Sequence, residues 1–149
     1  MEVIIKYVTF IILFVIAHSV AYILAGMIAL KISKEIYEGK SRLLTYLKDM
    51  SIEKENKSVQ KRFIPAQLLR GFLMSLILLP LITPLEELSF GLRFTFFTGL
   101  MFVFTHLSSA SPSPDNIEGF VYLKNRFFKK SSFFKFQFEM IIYSVIFGV

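Results

Sequence analysis

The sequence predicts an all-α fold: a polytopic membrane protein of four transmembrane helices, with a basic amphipathic helix or loop on the cytoplasmic side. Three observations predict it. Of 149 residues, 54% are hydrophobic and only 19% charged, with 18 Phe and a mean hydropathy of +0.60. An ordinary soluble domain carries about 25% charged residues and less than half apolar ones. Apolar stretches also run on for longer than a buried helix needs, and the cationic residues are sorted very unequally between the connections. This composition excludes a disordered chain and a secreted soluble enzyme. The absence of Cys excludes a disulfide scaffold, a thiolate metal site and a cysteine nucleophile.

A helix needs about 20 mainly apolar residues to cross a bilayer, and four segments approach that. The first runs from about Tyr7 to Leu30, within an apolar stretch from Val3 broken only by Lys6 and His18. A signal peptide has an apolar centre of roughly 7 to 15 residues, so this longer run reads as a retained helix. The second spans about Ala66 to Leu85, with Pro65 suited to its first turn and Arg70 near enough to its start to snorkel to the headgroups. Pro80 and Pro84 break it before Glu86-Glu87. The third, about Leu92 to Ala110, ends where Ser111-Pro112-Ser113-Pro114 forbids further helix. The fourth, about Phe133 to Val149, is the weakest, because Lys135, Gln137 and Glu139 occupy its first turns; it either crosses or lies in the interface. The whole of 1–149 reads as a single membrane domain.

The connections fix the orientation. Of the 17 Lys and Arg, ten fall between the first and second spans, from Lys31 to Arg70, and five between the third and fourth, from Lys124 to Lys135. Only Lys6 and Arg93 remain for the other side. Positive charge resists translocation, so both basic connections, 31–65 and 111–132, are expected in the cytoplasm with both termini outside. The high pI then reflects topology determinants that touch anionic lipid, not nucleic acid. In the first connection, Ile32, Ile36, Leu43, Leu47 and Met50 fall near helical spacing among basic residues, as in a helix lying along the headgroups. Gly39 would bend it, and 51–58 reads as a solvated turn or linker. In the second, Ser111, Ser113, Asp115 and Asn116 beside Lys124 and Arg126 are candidate contacts for a phosphate or lipid headgroup. The reading that the turn preferences of these residues favour over a ligand site is a helix stop followed by an interfacial anchor.

Polar groups inside the spans are the other candidates. Ala17, Ala21, Ala25 and Ala29 recur every four residues, a small-residue stripe expected to face another helix, with His18 at its edge. In the third span Thr95, Gly99 and His106 are expected on one face, with Gly99 a packing position and His106 pointing inward. By depth, Glu139 lies roughly 9 Å and His106 roughly 7 Å inside the cytoplasmic boundary, so the two are expected to meet. A polar track of His18, His106, Tyr143 and Glu139 follows, serving either as a functional ionisable cluster or as glue between helices.

Catalytic templates are absent: no phosphate-binding glycine loop, no His-Glu-x-x-His helix, no nucleophile elbow, and two His cannot fill a three-ligand zinc site without a carboxylate from elsewhere. Neither a metal nor a cofactor is expected. Pro84-x-Glu86-Glu87 followed by Phe102-x-x-x-His106 resembles the first two motifs of the CAAX-protease and bacteriocin-processing family of intramembrane proteases, in which a glutamate and histidines activate water. The resemblance covers about 23 residues. It departs in the spacing of Arg93 and in the closeness of its two motifs, and no later His follows; a continuous helix would hold Glu86 and His106 roughly 30 Å apart. It is therefore set aside as chance similarity. The leading expectation is a non-enzymatic membrane subunit or self-assembling bundle, with other membrane subunits or a second copy as partner. The alternatives are a small proton- or ion-linked transporter using His106 and Glu139, and a membrane enzyme or headgroup binder at the cytoplasmic face.

Overall fold

A computed structural model of the chain describes residues 1–45, 47–109, 113–116, 119, 123 and 125–149. All regular structure among them is helical. The first helix, α1 (Glu2–Ile32), passes through Ser33 into a single turn, α2 (Lys34–Tyr37). Next come α3 (Glu53–Leu78), a 3-10 turn at Leu79–Leu81 and α4 (Ile82–Glu87). The last two are α5 (Phe90–Gly99), which continues as a π-helix over Leu100–Leu107, and α6 (Lys130–Gly148).

Three segments are long and apolar enough to cross a membrane: Glu2–Ile32, Glu53–Glu87 and Phe90–Leu107. They expose bulky apolar side chains that water would penalise and acyl chains would not, among them Ile4, Leu69, Ile77 and Phe104. The expected fourth span forms a helix of the expected extent and joins the bundle. It does not meet the same apolar standard, because Lys130, Lys135 and Glu139 lie within it.

The packing order is α3, α1, α6, α5, with α1 and α6 in the middle. Three pairings show neighbours running antiparallel. Lys6 near the start of α1 meets Glu86 at the end of α4; Glu35 in α2 meets Lys135 early in α6; and Gly148 at the end of α6 abuts Phe94 and Thr98 in α5. One half of the core is aromatic. Phe14, Phe97 and Phe147 meet edge to face, with Phe14 and Phe147 centroids 5.0 Å apart, and Phe10 packs on Phe14. Such tilted contacts set the positive ring edge against the negative face of its neighbour.

Several local expectations are corrected. The segment 51–58, expected as a linker, is helical from Glu53. Glu53 and Glu55 occupy the first turn, where the helix dipole favours anions, and Lys57 pairs with Glu53 at 2.6 Å one turn on. Pro65 therefore sits inside α3, not in its first turn. Pro80 interrupts the second span as a 3-10 turn without ending it, and α4 carries Pro84 on to Glu87. The basic amphipathic helix expected over 32–50 is confined to the end of α1 and to α2. Gly39 adopts φ +86°, a left-handed conformation that turns the chain back on itself. Ile36, Leu43 and Leu44 then bury against Phe136 of α6 as a small second core.

That folded-back connection is held by Asp49, which is buried. Its carboxylate accepts from the Gly39 and Ser51 amides at 3.0 and 2.9 Å and from the Ser51 hydroxyl, and pairs with Arg42 at 3.2 Å. Arg42 also donates to the carbonyls of Gly39 and Leu47. The Ser51 hydroxyl and the two amides, with Arg42 adding its charge, hold the Asp49 carboxyl below the usual carboxylate range.

Candidate functional site

The polar centre of the bundle is built around His18. In α1 the buried line is Phe14, His18, Ala21, Ala25 and Ala29, while Ala17 is exposed. A strict four-residue step drifts about 40° per repeat in a helix of 3.6 residues per turn. A contact line therefore mixes steps of three and four, which drops Ala17 and brings His18 from the expected edge to the middle. Gly71 of α3 makes room for the ring: a Cβ there would stand 3.2 Å from both His18 Cδ2 and the Val15 Cα.

With 0% of its surface exposed, His18 has both ring nitrogens engaged. The Gln67 side-chain carbonyl oxygen accepts from Nε2 at 3.2 Å, and Nδ1 accepts from the Tyr143 hydroxyl at 2.7 Å. The same hydroxyl stands 3.5 Å from the sulfur of fully buried Met101. Tyr22, one turn from His18, packs on Tyr143 and Phe63, and the Arg70 guanidinium lies 5.7 Å from its ring centre. Arg70 thus has an aromatic face as a partner. Neither Gln67 nor Gly71 was singled out by the sequence. Gln67 had a signal, being one of three Gln in the chain and set among apolar residues; nothing local marked Gly71.

A second polar group lies nearer the end of the bundle that holds α2. The structure joins His18 to Tyr143 but does not pair His106 with Glu139. His106 Nδ1 donates to Asp115 at 3.3 Å, and Glu139 accepts from the Tyr37 hydroxyl at 3.2 Å. Two features lie behind the difference. The π-helix over Leu100–Leu107, closed by Ser108 N–H donating five residues back to Val103 at 2.8 Å, shifts the register that a uniform α-helix would keep. The connection also folds inward and supplies its own carboxylate. Thr95 consequently stays exposed while His106 is buried, and Gly99 faces open space, not a packed helix. His106 Nε2 is buried with no hydrogen-bond partner among the described residues.

Three of the candidate headgroup residues, Ser113, Asp115 and Asn116, are engaged in internal hydrogen bonds. Asn116 accepts from the Ser113 and Gly119 amides at 3.0 and 2.8 Å and donates to the Ser109 carbonyl, while Gln137 donates to the Asp115 carbonyl at 2.5 Å. Burial, the largest single influence on Asp115, pushes its carboxyl up. Hydrogen bonds from His106 and Ser113, with the imidazole's charge when protonated, outweigh that and hold it below its ordinary value. Arg126 is exposed and lies over the Phe127 ring at 4.5 Å. Ser111 and Lys124 lie outside the described residues.

At the opposite end, Lys6 pairs with Glu86 at 2.5 Å beside a surface hollow of about 320 Å³ that Arg93 and Phe97 also line. Glu86 and His106 thus sit at opposite ends of the bundle. The two motifs that resemble the intramembrane proteases form no common site. Among the described residues no group of three or more His, Asp and Glu is placed to hold a metal ion.

The fold and this site define a class: an all-helical bundle with three helices able to cross a membrane and a hydrogen-bonded polar centre among them. Compared with known proteins, the chain matches no family model, no curated protein and no solved structure.

Proposed function

We propose that this chain is a four-span integral membrane protein with both Lys/Arg-rich connections in the cytoplasm and both termini outside. It acts by association, as a membrane-complex subunit or a self-assembling bundle. The observation that carries this reading is the closed bonding of His18. A histidine whose two nitrogens are both taken by neighbouring helices is glue between those helices, not a group held ready for a substrate. The interior around it is filled by Tyr22, Met101, Tyr143 and the Phe cluster. What remains for function is the outer surface.

On α5, Gly91 and Thr95 are exposed, and a Cβ at Gly91 or Gly99 would meet nothing within 4 Å. Thr95 returns its hydroxyl to the Gly91 carbonyl at 2.9 Å, leaving a small apolar surface at four-residue spacing that another helix can approach closely. In mild detergent extracts of native membrane, blue native electrophoresis is expected to place the chain in a species of at least about twice its own mass. The double variant Gly91→Leu/Gly99→Leu is expected to run as the monomer, with an unchanged melting temperature. A wild-type chain that already runs as a monomer overturns the reading.

Transport through the bundle fits less well. The polar groups occupy one half of the bundle's length, and Phe10, Phe14, Phe97 and Phe147 close the other. An enzymatic or headgroup site at Ser113, Asp115 and Asn116 is likewise disfavoured by the hydrogen bonds that already engage them.

A further inference from the structure

One face of α3 changes character along its length. Lys54, Lys57, Ser58, Lys61, Arg62 and Pro65 line a surface groove of about 510 Å³. Their spacing of three and four residues places them on a single helical face. Continuing in the same steps, Leu68, Leu69, Phe72 and Leu76 are all exposed. The face is cationic for about three turns and then apolar, and the change falls at Pro65.

The acidic residues nearby neutralise only one of these cations, Lys57. Glu53 pairs with Lys57 at 2.6 Å, and Glu55 is turned away to accept from the Asp49 amide. Lys54, Lys61 and Arg62 have no ion pair among the described residues, and Lys48 adds a further cation at the rim by donating to Ser58 at 2.6 Å.

We infer that this face of α3 binds an anionic phospholipid, its phosphate headgroup in the groove from Lys54 to Arg62 and its acyl chains along Leu68, Leu69, Phe72 and Leu76. The site rests on the membrane reading above. The occupant follows from the joined chemistry of the two halves. A free phosphate or a nucleic acid satisfies the cations and leaves the apolar half unused, whereas a lipid carries both parts in that order. The site also differs from the 111–126 region that the sequence suggested. The signal there was Ser and Asp near cations; here it is continuity between a basic stripe and an exposed apolar one.

The test uses the full chain, purified in a non-ionic detergent and presented with phosphatidylglycerol and phosphatidylcholine of identical acyl chains, with retained lipid counted by native mass spectrometry. The wild type is expected to retain phosphatidylglycerol at least about tenfold over phosphatidylcholine, with the preference shrinking at high salt. The variant Lys54→Gln/Lys57→Gln/Lys61→Gln/Arg62→Gln is expected to lose the preference while keeping its helical circular dichroism. A matched variant, Arg126→Gln/Lys129→Gln/Lys130→Gln, is expected to keep it. Equal retention of both lipids by the wild type overturns the site. So does loss of the preference only in the second variant, displacement of the lipid by 10 mM inorganic phosphate, or tighter retention of a single-stranded oligonucleotide through the same four residues. A chain that purifies as a soluble monomer without detergent removes the membrane reading itself, a different failure from a detergent-dependent chain that shows no lipid preference.

Discussion

Asp49 shows how far a single carboxylate organises its surroundings. It ties together the left-handed turn at Gly39, the Arg42 guanidinium and the approach to α3, and so keeps Leu43 and Leu44 against Phe136. Its folded-state pKa lies below its unfolded value, so the stabilisation is present above the unfolded value, near about 3.9, and is lost as pH falls through the folded one. Hydrogen exchange at the Gly39 and Ser51 amides is expected to stay slow relative to an open chain at pH 6, and to lose that protection progressively as the pH is lowered below the unfolded carboxyl's value and through the folded one. Asp49→Asn is expected to show weak protection throughout. Equal protection in the variant would remove the carboxylate from this role. His18 marks what the sequence reveals at this scale. A polar residue in an apolar helix announces itself and is expected near a helix contact. Its partner Gln67 does not, since spacing along one helix says nothing of which residue on another comes opposite.

At the scale of elements, the apolar runs were legible to within a few residues for the first and third spans, because hydropathy and prolines mark where helix and bilayer coincide. The second ran longer than expected. Glu53 and Lys57 stabilise helix outside any apolar stretch, so a hydropathy boundary and a helix boundary there are different things. The π-helix was not legible at all, since Leu100–Leu107 reads as ordinary helix, yet it decides what His106 faces. The α1–α3 contact provides a direct check on packing. Gly71→Val would press a methyl-bearing carbon on the Val15 backbone and the His18 ring, and is expected to cost about 1–3 kcal/mol of stability, read as a lowered thermal midpoint in detergent. Gly26→Val, where a Cβ meets nothing within 4 Å, is expected to cost clearly less. Equal losses would mean that α1 and α3 do not approach closely at Gly71.

For the whole molecule, the all-helical character and the presence of helices long and apolar enough to cross a membrane followed from composition, while the packing order did not. That order depends on which small residues and polar groups meet across helices, information that lies in pairs of distant positions. Orientation gives the molecular-scale prediction. Accessibility labels at Lys54 and Arg126 are expected on the same side of the membrane and at Lys6 on the other, and a label at Arg126 sharing the side of Lys6 would contradict the four-span arrangement. The position of α6 carries a consequence for biogenesis. This helix begins with charged and amide side chains that find their counterparts, Glu35, Tyr37 and Asp115, only on earlier parts of the chain. A segment of that kind gains little by partitioning from the translocon alone. On the four-span reading proposed above, its entry depends on a docking surface presented by α1, α2 and α5, so its retention reports that those earlier helices have been assembled correctly.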